Sequence, residues 1–83
     1  MWNDRLRLVE AVEEQWKALA EHEQKSIRAA LERIDEDPIA GAPLFEPLKG
    51  YWSYRVGHLR ILYRIAPDAR FVIVLSVHRA EEA

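Results

Sequence analysis

The sequence predicts a small α+β domain, an acidic helical hairpin followed by a basic β-meander that carries arginines. Three observations support this. Apolar residues recur at helical spacing over residues 10–35 and alternate with period two over residues 51–78. Between them the loop DPIAGAPLFEP places three prolines and Gly41 in eleven residues. The charge divides at the same place: residues 1–47 hold 6 Lys and Arg against 11 Asp and Glu, a net −5, whereas residues 48–80 hold 6 against the single Asp68, a net +5. Glu81 and Glu82 bring the total to −2, so a near-neutral average conceals an acidic half and a basic half.

A chain of 83 residues makes one domain, spanning residues 1–83. It buries only about 60% of the surface its unfolded form exposes, which argues against a large enzyme pocket. Without cysteine there is no disulfide framework and no thiolate metal site, and the first 25 residues are charged throughout, unlike a secretory signal. FVIVL, Phe71 to Leu75, is far too short to cross a bilayer. The expectation is a soluble cytoplasmic domain. His22, His58 and His78 have no metal-ligand spacing, the three glycines form no phosphate-cradling loop, and no metal or other cofactor is expected.

Taken in order, RLRLV (Arg5 to Val9) alternates like a strand, yet Leu6, Val9, Val12 and Trp16 also fit a helix starting near Asp4. From Glu10 to Asp35 the apolar positions Val12, Trp16, Leu19, Ile27, Ala30, Leu31 and Ile34 predict two amphipathic helices, with a polar break around Glu21 to Glu23. The second helix should end before Pro38, because proline disfavours helical geometry in the preceding residue. Tyr51 to Val56, Leu59 to Ile65 and Phe71 to His78 read as strands. Gly57-His58 joins the first two as a two-residue loop with glycine at its first position, as a type II′ turn prefers.

That turn sets Val56 opposite Leu59, Arg55 opposite Arg60, Tyr54 opposite Ile61, Ser53 opposite Leu62 and Trp52 opposite Tyr63. One face then carries Trp52, Tyr54, Ile61, Tyr63 and Ile65, suited to packing under helices. The other carries Ser53, Arg55, Arg60, Leu62 and Arg64. Two arginines directly opposite each other destabilise a sheet by roughly 0.2–1 kcal/mol. An acidic partner or polyanion on that face would relieve the repulsion; a solvated face with splayed arginines is the alternative. If Ile65 faces Phe71 in the next hairpin, Arg60 lies opposite Ser76 and His78 ends the same face, with Arg79 just beyond. Arg55, Arg60, His78, Arg79 and Lys49 are thus candidates to converge on a phosphate at one end of the sheet.

The segments ERIDEDP, PLKGYWSYRVGHLRILYRI and VIVLSVHR together resemble the RelE/ParE superfamily of bacterial toxin–antitoxin modules, from about Arg5 to Arg79. The resemblance implies the strand reading of RLRLV and a β-α-α-β-β-β fold with the helical hairpin on one face of an antiparallel sheet. It also implies a toxin held inactive by a cognate antitoxin. RelE-like members cleave messenger RNA in the ribosomal A site without a metal, by helping a ribose 2′-oxygen attack the adjacent phosphate; ParE-like members inhibit DNA gyrase. Carried over by position, the main phosphate-binding arginine falls on Arg60, the C-terminal arginine on Arg79, and the basic positions before the turn on Lys49 and Arg55.

Cations preorganised around the phosphate suit the charge that develops during in-line attack. Arginine is a poor proton acceptor, which leaves Lys49 or His78 for proton transfer. RelE-like enzymes usually carry a tyrosine a few residues after the C-terminal arginine, whereas this chain runs HRAEEA. Three readings follow: a RelE-like endoribonuclease, a ParE-like gyrase inhibitor, and an inactive member that only binds its antitoxin.

Overall fold

The computed structural model describes residues 5–67 and 70–79. Its elements are β1 (Leu6–Leu8), α1 (Glu10–Lys17), α2 (Glu21–Glu36), a 3-10 turn at Pro38–Ala40, β2 (Ala42–Pro43), β3 (Tyr51–Val56), β4 (Leu59–Ile65) and β5 (Val72–Arg79). The strands form one sheet in the order β1-β5-β4-β3-β2. The expected β-α-α-β-β-β order is present. Two details differ from expectation: β1 pairs with β5 in parallel, making the sheet mixed, and the short β2 adds a fifth strand on β3.

The parallel pair follows from the chain path. The helical hairpin carries the chain across one face of the sheet, so β1 and β5 reach adjacent positions through a long connection rather than a turn. Arg5 fixes the entry to β1, donating from Nη1 to the Asp35 carbonyl at 2.9 Å near the end of α2.

The break between the helices lies at residues 18–20, and Glu21 to Glu23 form the first turn of α2 rather than the break itself. Carboxylates suit that position because the exposed amides of a helix N-terminus attract negative charge. Glu23 Oε1 accepts the Ala20 amide at 2.9 Å, the acidic half of a capping box whose cap residue, alanine, has no oxygen to reciprocate. Gln24 steadies the hairpin by donating from Nε2 to the Trp16 carbonyl at 2.8 Å. As expected, α2 stops short of Pro38.

Leu6, Val12, Ile27, Ala30, Leu31 and Ile34 are buried against Leu59, Ile61, Tyr63, Val72, Val74 and Val77 of the sheet. Along β4 the buried residues 59, 61 and 63 alternate with the more accessible 60, 62 and 64, so the helices cover one face and leave the other bare. The β3–β4 register matches the expected one at every pair from Trp52–Tyr63 to Val56–Leu59. The β4–β5 register does not. Ile65 faces Val72 rather than Phe71, and a one-residue bulge skips Leu75, so that Leu62 faces Ser76 and Arg60 faces His78.

Candidate nucleic-acid interface

Side-chain alternation and strand register place Arg7, Ser53, Arg55, Arg60, Leu62, Arg64 and His78 on the bare face. None of the five strands contains an Asp or Glu, so the acidic residues described lie on helices and loops. The face is therefore cationic with no internal counter-charge from its own strands.

Arg55, Arg60 and His78 form a row across β3, β4 and β5 at the end nearest the Gly57-His58 turn. Directly opposite residues stand roughly 4.5–5.5 Å apart at Cβ. Gly57 adopts φ +59°, the left-handed value required at the first position of such a turn. Arg55 folds back on the turn, donating from Nε to the Gly57 carbonyl at 3.2 Å. His78 shares a hydrogen bond with Ser76 through Nδ1 and Oγ, which leaves Nε2 as its second ring nitrogen.

Arg60 is half-buried, and its Nε–H is shielded from solvent without a hydrogen-bond partner among the described residues. It opens on a cleft of about 380 Å³ bounded by Ala40, Gly41 and Ala42 on one side and Ser53, Tyr54 and Arg55 on the other. Tyr63 braces the Ala40–Ala42 side from the buried face of the sheet. Its hydroxyl donates to the Pro38 carbonyl at 2.6 Å and accepts the Gly41 amide at 3.1 Å. Burial raises the Tyr63 pKa above the ordinary tyrosine value, with the Gly41 amide opposing the shift.

The remaining expected site residues lie elsewhere. Arg79 faces Leu59 and so projects toward the helices, its Nη1 3.6 Å from Glu23 Oε2. Lys49 is exposed in the loop before Tyr51, and Tyr51 itself is four positions, about 13 Å, along the strand from Arg55. The structure thus groups Arg55, Arg60 and His78 and separates them from Arg79 and Lys49.

Sequence reasoning did not identify Glu23. This buried carboxylate also accepts His58 Nε2 at 2.8 Å, joining the start of α2 to the β3–β4 turn and the end of β5. The Ala20 amide, then the His58 hydrogen bond, hold its pKa below the ordinary glutamate value; burial opposes them and Arg79 adds a smaller favourable effect. Its position three residues into a helix was the only available signal. Away from this face, Leu8, Val12, Trp16, Ile27 and Leu31 line a largely apolar groove of about 340 Å³, together with the charged Glu13, Lys17 and Arg28. Arg28 lies over the Trp16 ring at 5.6 Å.

Solved structures match this architecture over nearly the whole chain. The RelBE2 toxin–antitoxin complex of Mycobacterium tuberculosis aligns with a TM-score of 0.81 at 26% identity, covering 90% of this chain and 95% of the other. The isolated RelE toxin of Escherichia coli aligns at 0.78 and 20% identity, covering 95% and 86%. A YoeB/ParE toxin from Agrobacterium tumefaciens aligns at 0.76 and 21% identity, covering 93% and 99%. No curated protein matches by sequence at a significant level. Two helices on one face of a five-stranded mixed sheet define a RelE-like toxin fold. The model of the family described as "ParE toxin of type II toxin-antitoxin system, parDE" matches residues 2–83, and the chain belongs to that family, a toxin of the RelE/ParE superfamily.

Proposed function

We propose that this toxin takes a phosphodiester of messenger RNA on its bare sheet face and promotes its cleavage in the ribosomal A site, until a cognate antitoxin blocks it. The observation that carries this reading is the Arg60 side chain lining an open cleft, on a sheet whose five strands hold no carboxylate. A charge-assisted hydrogen bond between a guanidinium and a phosphate is roughly twice as strong as a neutral one, and here no carboxylate on the same strands competes for the guanidinium.

The chemistry needs no metal. Arg60 binds a non-bridging phosphoryl oxygen and stabilises the charge that grows as the ribose 2′-oxygen attacks in line. His78, across the strand from Arg60, accepts the 2′-hydroxyl proton at Nε2. The bond from phosphorus to the 5′-oxygen breaks, the departing oxygen takes a proton from water, and a 2′,3′-cyclic phosphate and a 5′-hydroxyl result. Lys49 and Arg79, carried over by resemblance, have no direct part in this arrangement.

The antitoxin reading is supported by the neighbouring complexes, RelBE2 and the RelBE pair of Escherichia coli, each of which is a toxin–antitoxin assembly. The groove beside Trp16, mostly apolar and lined also by Glu13, Lys17 and Arg28, suits the apolar face of an amphipathic segment.

A second reading, gyrase inhibition without RNA chemistry, is favoured by the ParE family match. Mapping messenger 5′ ends in a bacterial cell-free translation reaction separates the two. New ends at A-site codons with the native chain, reduced about 10²–10³-fold by Arg60→Ala, are expected for the nuclease. Intact message together with inhibited DNA supercoiling would favour the gyrase reading instead.

A further inference from the structure

The cleft beside Arg60 is larger than a phosphate needs. At about 380 Å³ it lies within the roughly 300–1,000 Å³ of small-molecule sites, so a phosphate alone would leave most of it to water. Its far wall consists of Ala40, Gly41 and Ala42, among the smallest side chains available, and no carboxylate lines it.

That wall is held in place. A Cβ on Gly41 would lie 2.6 Å from both the Ser53 carbonyl oxygen and the Tyr63 hydroxyl, so the backbone entering β2 meets β3 in a contact that only glycine permits. Tyr63 holds this segment through the Gly41 amide and the Pro38 carbonyl. The space is therefore a fixed shape, which lowers the ordering cost of a ligand that fits it.

Shape and charge together select a ligand class. A flat ring suits a cleft lined by small residues and by guanidinium groups, on whose planes unpaired bases stack. Beyond the cleft the same face carries Arg64, four positions along β4 from Arg60, so a ligand that meets both is an extended polyanion rather than an isolated phosphate. A chain with a phosphate and a flat ring in each repeat is single-stranded nucleic acid. We infer that the cleft between Ala40–Ala42 and Arg60 is the seat of one nucleoside of such a strand, with its phosphate on Arg60 and its base against the Gly41 wall. The inference rests on the reading that Arg60 binds a phosphodiester and adds the position of the neighbouring base.

The test is an amide NMR titration of the whole ¹⁵N-labelled chain with inorganic phosphate, ribose 5-phosphate and a nucleoside 5′-monophosphate in turn. The nucleotide should bind at least about fivefold more tightly than ribose 5-phosphate, the lower end of what stacking one base contributes. It alone should shift the Ala40, Gly41 and Ala42 amides. Ala42→Phe, at an exposed position, and Ala40→Val as a second blocking change should each erase that increment while leaving ribose 5-phosphate binding intact. Each variant is first checked for a native-like amide spectrum. Equal affinities with unmoved wall amides, or an increment that survives in both variants, would overturn the base seat and leave the Arg60 reading standing. Absence of binding by all three probes, or affinities unaffected by Arg60→Ala, would overturn both.

Discussion

At residue 23 one carboxylate meets three elements: the Ala20 amide before α2, His58 in the β3–β4 turn and Arg79 at the end of β5. Its pKa is lowered in the folded chain, first by the Ala20 amide and then by His58. The native state therefore binds fewer protons at Glu23 than the unfolded state across the interval between the two pKa values. The resulting stabilisation is fully present above the unfolded glutamate pKa, about 4.3, and is lost as pH falls through the lower folded value. Thermal unfolding followed from pH 7 to pH 2.5 should show the midpoint falling below about pH 4.3. Glu23→Gln should lower the midpoint at pH 7 and flatten that acid limb. An unchanged limb in the variant would mean that other carboxylates cause the acid loss.

Within the β3–β4 hairpin the sequence was readable because two local signals agree: glycine at the first turn position and alternation in both strands. Gly57 is glycine for its backbone angle alone, since a Cβ there meets nothing within 4 Å. Gly57→Ala should lower stability by about 1–2 kcal/mol, and Gly57→Asn by less, because asparagine tolerates the left-handed region. Denaturant unfolding of the two variants checks this ranking. The next hairpin lacked such signals. FVIVLSV is apolar in both phases, so neither the shift from Phe71 to Val72 opposite Ile65 nor the bulge at Leu75 could be read from it. Part of the compensation comes from a distant element: Gln15 Oε1 of α1 accepts the Val77 amide at 2.7 Å, just beyond the bulge. The candidate site divides in the same way. The Arg55–Arg60 pair followed from the turn, whereas the Glu23 junction and the Tyr63–Gly41 contact link residues 35 and 22 positions apart and depend on packing.

Across the whole molecule the charge asymmetry becomes spatial, because the acid-free sheet presents a face that the acidic helices do not cover. A net charge of −2 would suggest weak attraction to nucleic acid, yet screening confines a surface charge to roughly 8 Å at physiological salt, so a strand on the bare face senses local arginines more than the distant helices. For a strand that contacts Arg55, Arg60 and Arg64, log affinity should fall with log salt at a slope of about −2, near −0.7 per contact. Anisotropy titrations with a short, non-cleavable single-stranded oligonucleotide between 50 and 200 mM salt measure it. Arg60→Ala and Arg64→Ala should each reduce the slope by about 0.7, while Lys49→Ala and Arg79→Ala should leave it unchanged, since Lys49 lies in the loop before β3 and Arg79 projects toward the helices. A slope that responds equally to all four substitutions would mean that the strand wraps both ends of the sheet rather than lying along its bare face.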